Sequence, residues 1–314
     1  MGLFSKAKKV SGWLAISFQG EGVCAASVKR GVAGKPTVAL LVYYHSDKPC
    51  SPEVLAKLGK ELHANGYHCS SLLAGGEYQL LTVEAPAVPL EERKTAVRWR
   101  LKDMLDFPAD QATIDLLDIP MPNTAQGRGG SLFAIAARNS VIEARQNLFV
   151  AGAVKLAVID IPEMAQRNIS AMIEPEGRGV AMLSFNADGG LLTVTFKGEL
   201  YLSRRMDVTL AQLLDTDPDR KHEHFDKITL ELQRSLDHFD RQYSFISVSK
   251  LVLAPTGTSG LDEYLSSNLY TPVQTMNLAD VLDISAHPEL ADAATQQRFF
   301  LTLGAALRDE GSAA

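Results

Sequence analysis

The chain writes one pattern twice, and any fold it adopts must accommodate both copies. Residues 16–31, ISFQGEGVCAASVKRG, superpose without a gap on residues 183–198, LSFNADGGLLTVTFKG. Ser17 falls on Ser184, Phe18 on Phe185, Gly22 on Gly189 and Gly31 on Gly198, while Gln19 meets Asn186 and Glu21 meets Asp188. In the second copy, residues 180–208 read as three short strands of apolar and β-branched residues. Turns at residues 186–190 and at Lys197-Gly198-Glu199 join them. The matches fall at equivalent turn positions, which predicts a molecule of two related halves. A length of 314 residues suits two domains or one large duplicated one.

The order of elements repeats as well. Strands are expected over 13–18 and 23–29 around Gln19-Gly20-Glu21-Gly22, and over 37–44. A helix over 52–65 carries Val54, Leu55, Leu58 and Leu62 at helical spacing and closes at Gly66. Strands over 69–73 and 78–84 flank Gly75-Gly76, and further strands are expected over 113–119, 132–137 and 155–161. Helices over 140–151 and 163–173 follow, the second opened by Pro162 at its first position. EPEGRG at 174–179 is the candidate hinge. After the second meander come a short helix over 209–214, a polar loop over 215–219 and a long helix over 226–243. A strand over 249–254, a loop, a helix over 261–268, a strand over 273–276 and a terminal helix over 298–308 complete the chain. This is α/β with mixed strand pairing.

The clearest helix is 90–106, LEERKTAVRWRLKDMLD, preceded by Pro89 and stopped by Phe107-Pro108. Leu90, Val97, Leu101, Met104 and Leu105 form an apolar stripe, and Trp99 points roughly 160° to 200° away from most of it. Trp99 then either packs under a neighbouring segment of the chain or offers a second face to a partner, where a tryptophan makes a good anchor. The Gly-rich loop 122–130 is expected to be mobile.

Composition removes several classes. A net charge of −6 leaves no basic stripe for a nucleic-acid backbone. Three cysteines, Cys24, Cys50 and Cys69, are odd in number and lack C-x-x-C spacing, as in a reducing cytoplasm. No apolar run approaches the ~20 residues of a membrane span, and the N-terminus lacks a signal-peptide core. MGLFSKAKKV is either a solvated tail or a membrane-surface foot.

The chemical motifs are weak. Residues 20–25, GEGVCA, fit a dinucleotide fingerprint in letters, but a returning strand follows where a helix N-terminus is needed. Residues 257–260, GTSG, are not a nucleophile elbow, and no Walker A sequence occurs. His222-Glu223-His224, expected in a loop, has no further placed ligand for a metal. Neither Asp160 nor Asp188 is placed beside a phosphate loop as a kinase carboxylate; they suit a strand end and a turn.

The duplicated meanders, with a strand, glycine loop and helix near the end, resemble the actin-like ATPase fold. Three stretches are similar to the PilM-type pilus assembly proteins within it. These are AVRWRLKDMLDFPADQATIDLLDIP at 96–120, VIDIPEMAQRNISAMI at 158–173, and LQRSLDHFDRQYSFISVSKLVLAPTGTSGLDEYLSSNLYTPVQ at 232–274. The opening MGLFSK is also familiar in that group, and the likeness is best to its branch in mannose-sensitive haemagglutinin (MSHA) pilus systems. The resemblance implies a duplicated, two-lobed RNase H-like α/β fold: a first lobe over 11–175 with an inserted α/β subdomain over about 83–153, and a second lobe over 176–310. It also implies a cytoplasmic protein held at the inner membrane through a PilN-like partner, whose N-terminal segment binds beside the inserted subdomain. Trp99, with Arg98 and Lys102, is the expected contact, and a homo-oligomer is compatible with this reading.

Nucleotide-binding relatives end the first strand of each half in Asp, with Gly two residues on; carboxylates organise Mg²⁺ through its water shell, and glycine lets backbone N–H groups reach phosphate. Here those positions are Ser17 and Ser184, then Gln19 and Asn186. A serine cannot supply the missing charge, so ATP hydrolysis is not expected. Gly20, Gly22, Gly189, Gly190, Gly257 and Gly260 either bound a residual nucleotide cleft or merely make turns. The alternative function is an ATP-binding, nucleotide-responsive ATPase of the same machinery.

Overall fold

The computed structural model describes residues 12–31, 34–122 and 130–308. The tail expected at residues 1–10 and most of the loop expected to be mobile lie outside them. Two sheets of five strands share one plan. In the first, β1 (Trp13–Gln19), β2 (Gly22–Lys29) and β3 (Thr37–His45) form an antiparallel meander, and β4 (His68–Leu72) and β8 (Leu156–Asp160) extend it in parallel, giving the order β3-β2-β1-β4-β8. In the second, β9 (Gly179–Asn186), β10 (Gly189–Phe196) and β11 (Glu199–Met206) are the meander, and β12 (Val248–Leu253) and β13 (Val273–Thr275) extend it, in the order β11-β10-β9-β12-β13.

The repeat holds in register. Gln19 pairs with Gly22 across the first turn and Asn186 with Gly189 across its counterpart. The ladder slips between Ser27 and Val28 in one copy and between Val194 and Thr195 in the other, at superposed positions. A bulge adds twist at a fixed place in a strand, so its recurrence carries the duplication into the backbone. Together these features make an α/β actin-like fold.

The halves exchange their last helices. α4 (Pro162–Ser170) closes the first half yet packs beneath the second sheet, and α8 (Ala293–Ala306) closes the second half yet lies on β1 and β2. The two helices touch each other closely. A Cβ added at Gly304 would sit 2.2 Å from the Ala165 carbonyl oxygen, and the Asn168 side-chain amide donates to the Gly304 carbonyl at 2.9 Å. Ala165, Ile169, Phe299, Phe300 and Leu303 join Ala15 and Cys24 of the first sheet and Met182 of the second in one buried cluster.

A third sheet, β5 (Tyr78–Glu84), β7 (Ser131–Arg138) and β6 (Ala112–Asp118), in the order β5-β7-β6, is inserted between β4 and β8. The strands flanking Gly75-Gly76 thus belong to different sheets. β7 alternates: Leu132, Ala134 and Ala136 face Val97 and Leu101 of α2 (Leu90–Leu101), while Phe133, with Ile119, joins the core of the second lobe. On the far side of the first sheet, α1 (Pro52–Glu61) and α3 (Asn139–Ala151) pack through Leu55, Leu58 and Phe149.

Several local expectations are corrected. The helix expected over 90–106 stops at Leu101, and residues 102–106 turn so that Phe107 is buried. Leu90 and Met104, placed on the apolar stripe, are exposed. The long helix α6 (Pro218–Gln242) begins eight residues earlier than 226, with the Asp217 side chain accepting from the Asp219 and Arg220 amides and Pro218 following it. His222 and His224 therefore lie on a helix, about 200° apart at 100° per residue, and cannot close on one metal. Finally, α8 starts at Ala293 rather than 298, capped by Asp292. α5 (Leu210–Leu213) and α7 (Leu261–Asn268) complete the second lobe. Among the described residues, no helix is long and apolar enough to cross a membrane.

Candidate functional site

Two places gather the residues singled out in the sequence. The first lies at the C-terminal ends of β1 and β9. Ser17 is buried, and its hydroxyl pairs with that of Thr302 on α8 at 2.7 Å. Ser184, also buried, donates to Gln166 Oε1 on α4 at 2.5 Å. The Gln166 amide is fixed from its other end, its Nε2 donating to Met182 O at 2.9 Å, Leu191 O at 3.2 Å and Thr193 Oγ1 at 2.9 Å. The two serines repeat one role, each tying its strand to the helix received from the opposite half. Adjacent residues of α8 reach both repeat turns: Gln19 donates to Arg298 O at 2.9 Å, and Gln297 donates to Phe185 O at 2.9 Å.

The glycines of this region have separate tasks. Gly20 is exposed in the β1–β2 turn, and a Cβ there would meet nothing. Gly22 faces the Tyr43 ring, which an added Cβ would approach to 2.7 Å, and Gly190 faces Phe185 in the same way at 2.7 Å. Gly189 needs its backbone freedom, with φ at +127° and the Met206 carbonyl oxygen 2.4 Å from a notional Cβ. Asn186 closes the second turn by accepting the Asp188 amide at 2.8 Å. Gly257 and Gly260 sit in the loop after β12, whose end is tied to β9 by the Ala254 amide donating to Leu183 O at 2.9 Å. Gly260, at φ +86°, immediately precedes α7.

The donor set at the serine pair does not fit a hydrated Mg²⁺. Both side chains are neutral hydroxyls, and both are already bonded inside the protein. Asp160, at the end of β8, pairs with Arg308 at 2.7 Å. Burial pushes the Cys24 thiol up to about 12, moderated by Arg298, and the Cys69 thiol up to about 11, so neither is a nucleophile near neutral pH.

The second place is on the insert. α2 buries Val97 and Leu101 against the sheet, which turns Trp99 outward; it is 72% exposed. Of the two alternatives for Trp99, packing under a neighbouring segment is excluded, and the ring faces outward. Trp99 forms one wall of a groove of ≈ 670 Å³ with Arg98 and Lys102, and Leu105, Phe107 and Pro108 line it further. Asp106 and Asp110 line it too, so cationic and anionic groups both flank its apolar side chains. Arg98 is partly engaged, donating to Ala109 O at 3.4 Å.

A third cluster had no signal in the sequence. Glu163 on α4 is fully buried and takes a hydrogen bond from the Tyr78 hydroxyl and an ion pair from Arg205 of β11 at 3.0 Å. Its members lie far apart in the chain and in no motif, so no spacing could have joined them.

No protein-family model matches the sequence, and no curated protein matches it. Solved structures do. A chain of the PilM–PilN type IV pilus biogenesis complex superposes with a TM-score of 0.74 at 19% identity, over 96% of this chain and 98% of that one. An actin-like ATPase-fold protein of unknown function from Bacteroides thetaiotaomicron gives a TM-score of 0.46 at 11% identity, covering 93% and 99%. The cytoplasmic domain of EpsL, an inner-membrane component of the type II secretion system of Vibrio cholerae, gives 0.43 at 13%, covering 66% and 75%.

Proposed function

We propose that this chain is a PilM-like assembly component of a type IV pilus platform, of the MshI type that serves MSHA pili, and that it works by docking rather than catalysis. The likeness to a PilM–PilN chain over nearly the full length of both molecules supports the architecture. The observation that carries the function is the Trp99 groove: a large aromatic held outward by its own helix, beside apolar side chains flanked by charges of both signs. Solvent-exposed tryptophans in such settings are common anchors for partner segments. In this proposal the occupant is the short cytoplasmic N-terminal segment of a PilN-like inner-membrane protein, which would hold the chain at the membrane. The chain is a pseudo-ATPase here, since Ser17 and Ser184 supply no carboxylate for Mg²⁺.

A synthetic peptide of that partner segment tests the reading by titration calorimetry. Trp99→Ala should weaken binding at least about 30-fold, the loss of a strong hot spot, while the thermal midpoint stays within a degree or two because the ring is exposed. Unchanged affinity in Trp99→Ala, or no binding by the unaltered chain, would remove the docking site. Turnover of ATP-Mg by the pure protein would instead favour the nucleotide-responsive ATPase.

A further inference from the structure

Glu163 is a carboxylate with no exposed surface, and a buried charge is tolerated only where partners satisfy it. Its partners come from different pieces of the molecule. Tyr78, which donates to it, is the first residue of the inserted sheet; Arg205 and Ser203 lie on β11, with the Ser203 hydroxyl at 3.4 Å. Arg205 also donates to the Tyr78 oxygen, so the three side chains form a closed ring across the seam. Burial, with Glu163 beside it, pushes the Tyr78 phenol well above its usual range, which keeps it a donor.

A second carboxylate joins the same cluster. Asp188 sits in the β9–β10 turn of the second lobe and accepts the backbone N–H of Gly75, in the β4–β5 loop of the first, at 2.8 Å. Gly75 is pressed against Arg205 as well. A Cβ added there would lie 2.3 Å from Arg205 Nη1 and 3.2 Å from Asp188 Oδ2. Residues from the first lobe, the insert, α4 and the second lobe thus meet around two anionic groups of the chain itself.

We propose that Asp188 and Glu163 form an internal anionic clamp that holds the lobes and the insert closed without any diffusible ligand. An anion that bridges two lobes closes them by being shared between their donors; here the shared anions are side chains already attached to one side. The clamp does not rest on the docking proposal, since it holds whether or not a peptide fills the Trp99 groove.

Hydrogen exchange and small-angle scattering on the full chain, with and without ATP-Mg, test it. The unaltered protein should scatter as one compact species whose profile ATP-Mg leaves unchanged. Asp188→Ala removes a charge-assisted bond at an exposed turn, and exchange across residues 73–78 should rise roughly 10- to 100-fold while β10 and β12 stay protected. Glu163→Gln should loosen residues 73–78 and the start of β5 together. If Glu163→Gln does not fold, Asp188→Ala still decides. Unchanged exchange at 73–78 in Asp188→Ala, or compaction of the unaltered chain by ATP-Mg, would overturn the clamp.

Discussion

Ser184 shows how one side chain can carry a fold and refuse a chemistry. Its hydroxyl meets an amide oxygen whose orientation is set by three acceptors on the amide nitrogen, so Gln166 cannot turn without losing all three. Ser184→Asp would press a carboxylate against that oxygen in a buried site. It should destabilise the protein by about 2–5 kcal/mol in urea unfolding, and it should not confer ATP hydrolysis. Stability at or above that of the unaltered chain would show that the site can turn to accept a negative charge. The identity of this position was legible in the sequence, because the repeat placed Ser17 and Ser184 on one another. Its partners, Thr302 and Gln166, were not, since each lies on a helix lent by the other half. Thiol chemistry offers another residue-scale check. With Cys24 pushed up to about 12 and Cys69 up to about 11, alkylation of the folded chain at pH 7 should mark the exposed Cys50 first. Mass spectrometry of the modified peptides reads the order, and early labelling of Cys24 would contradict its burial.

At the scale of elements, strands were easier to read than helix ends. Both meanders fell where alternating and β-branched residues placed them, whereas α1, α2, α6 and α8 each differed by four or more residues at one end. The starts of α6 and α8 are written in caps rather than periodicity: Asp217 before Pro218, and Asp292 accepting the Thr295 amide. Tertiary packing decided the end of α2, through the burial of Phe107, which no local rule anticipates. The same helix shows that facing can be read where length cannot: Val97 and Leu101 point inward and Trp99 outward, as their angular spacing demands. The contact of α4 with α8 depends on a glycine. Gly304→Ala would drive a methyl into the Ala165 carbonyl, and the displaced helix should cost about 1–3 kcal/mol by thermal or urea unfolding. No loss of stability would mean that the two helices part more readily than their spacing suggests.

On the scale of the whole molecule, the repeat made the two-lobed plan legible and left its closure hidden. Nothing in the spacing of Gly75, Tyr78, Glu163, Asp188 and Arg205 marks them as one cluster, because contacts between lobes are fixed by the fold and not by local pattern. Nor did the sequence reveal that Phe133 and Ile119 of the insert would share a core with the second lobe. The exchange of α4 and α8 has its own consequence. One copy of the repeat covers the inner face of its sheet by borrowing a helix from the other, so the present chain resembles a swapped dimer fused end to end. Cutting it at the 174–178 connection should therefore yield two polypeptides that are unfolded apart and reassemble when mixed at equal concentration, as circular dichroism would report. A fragment that folds alone would mean the exchange is dispensable. By the same logic, a lengthened 174–178 linker would favour neither lobe, since what joins the halves is the traded helices more than the peptide between them.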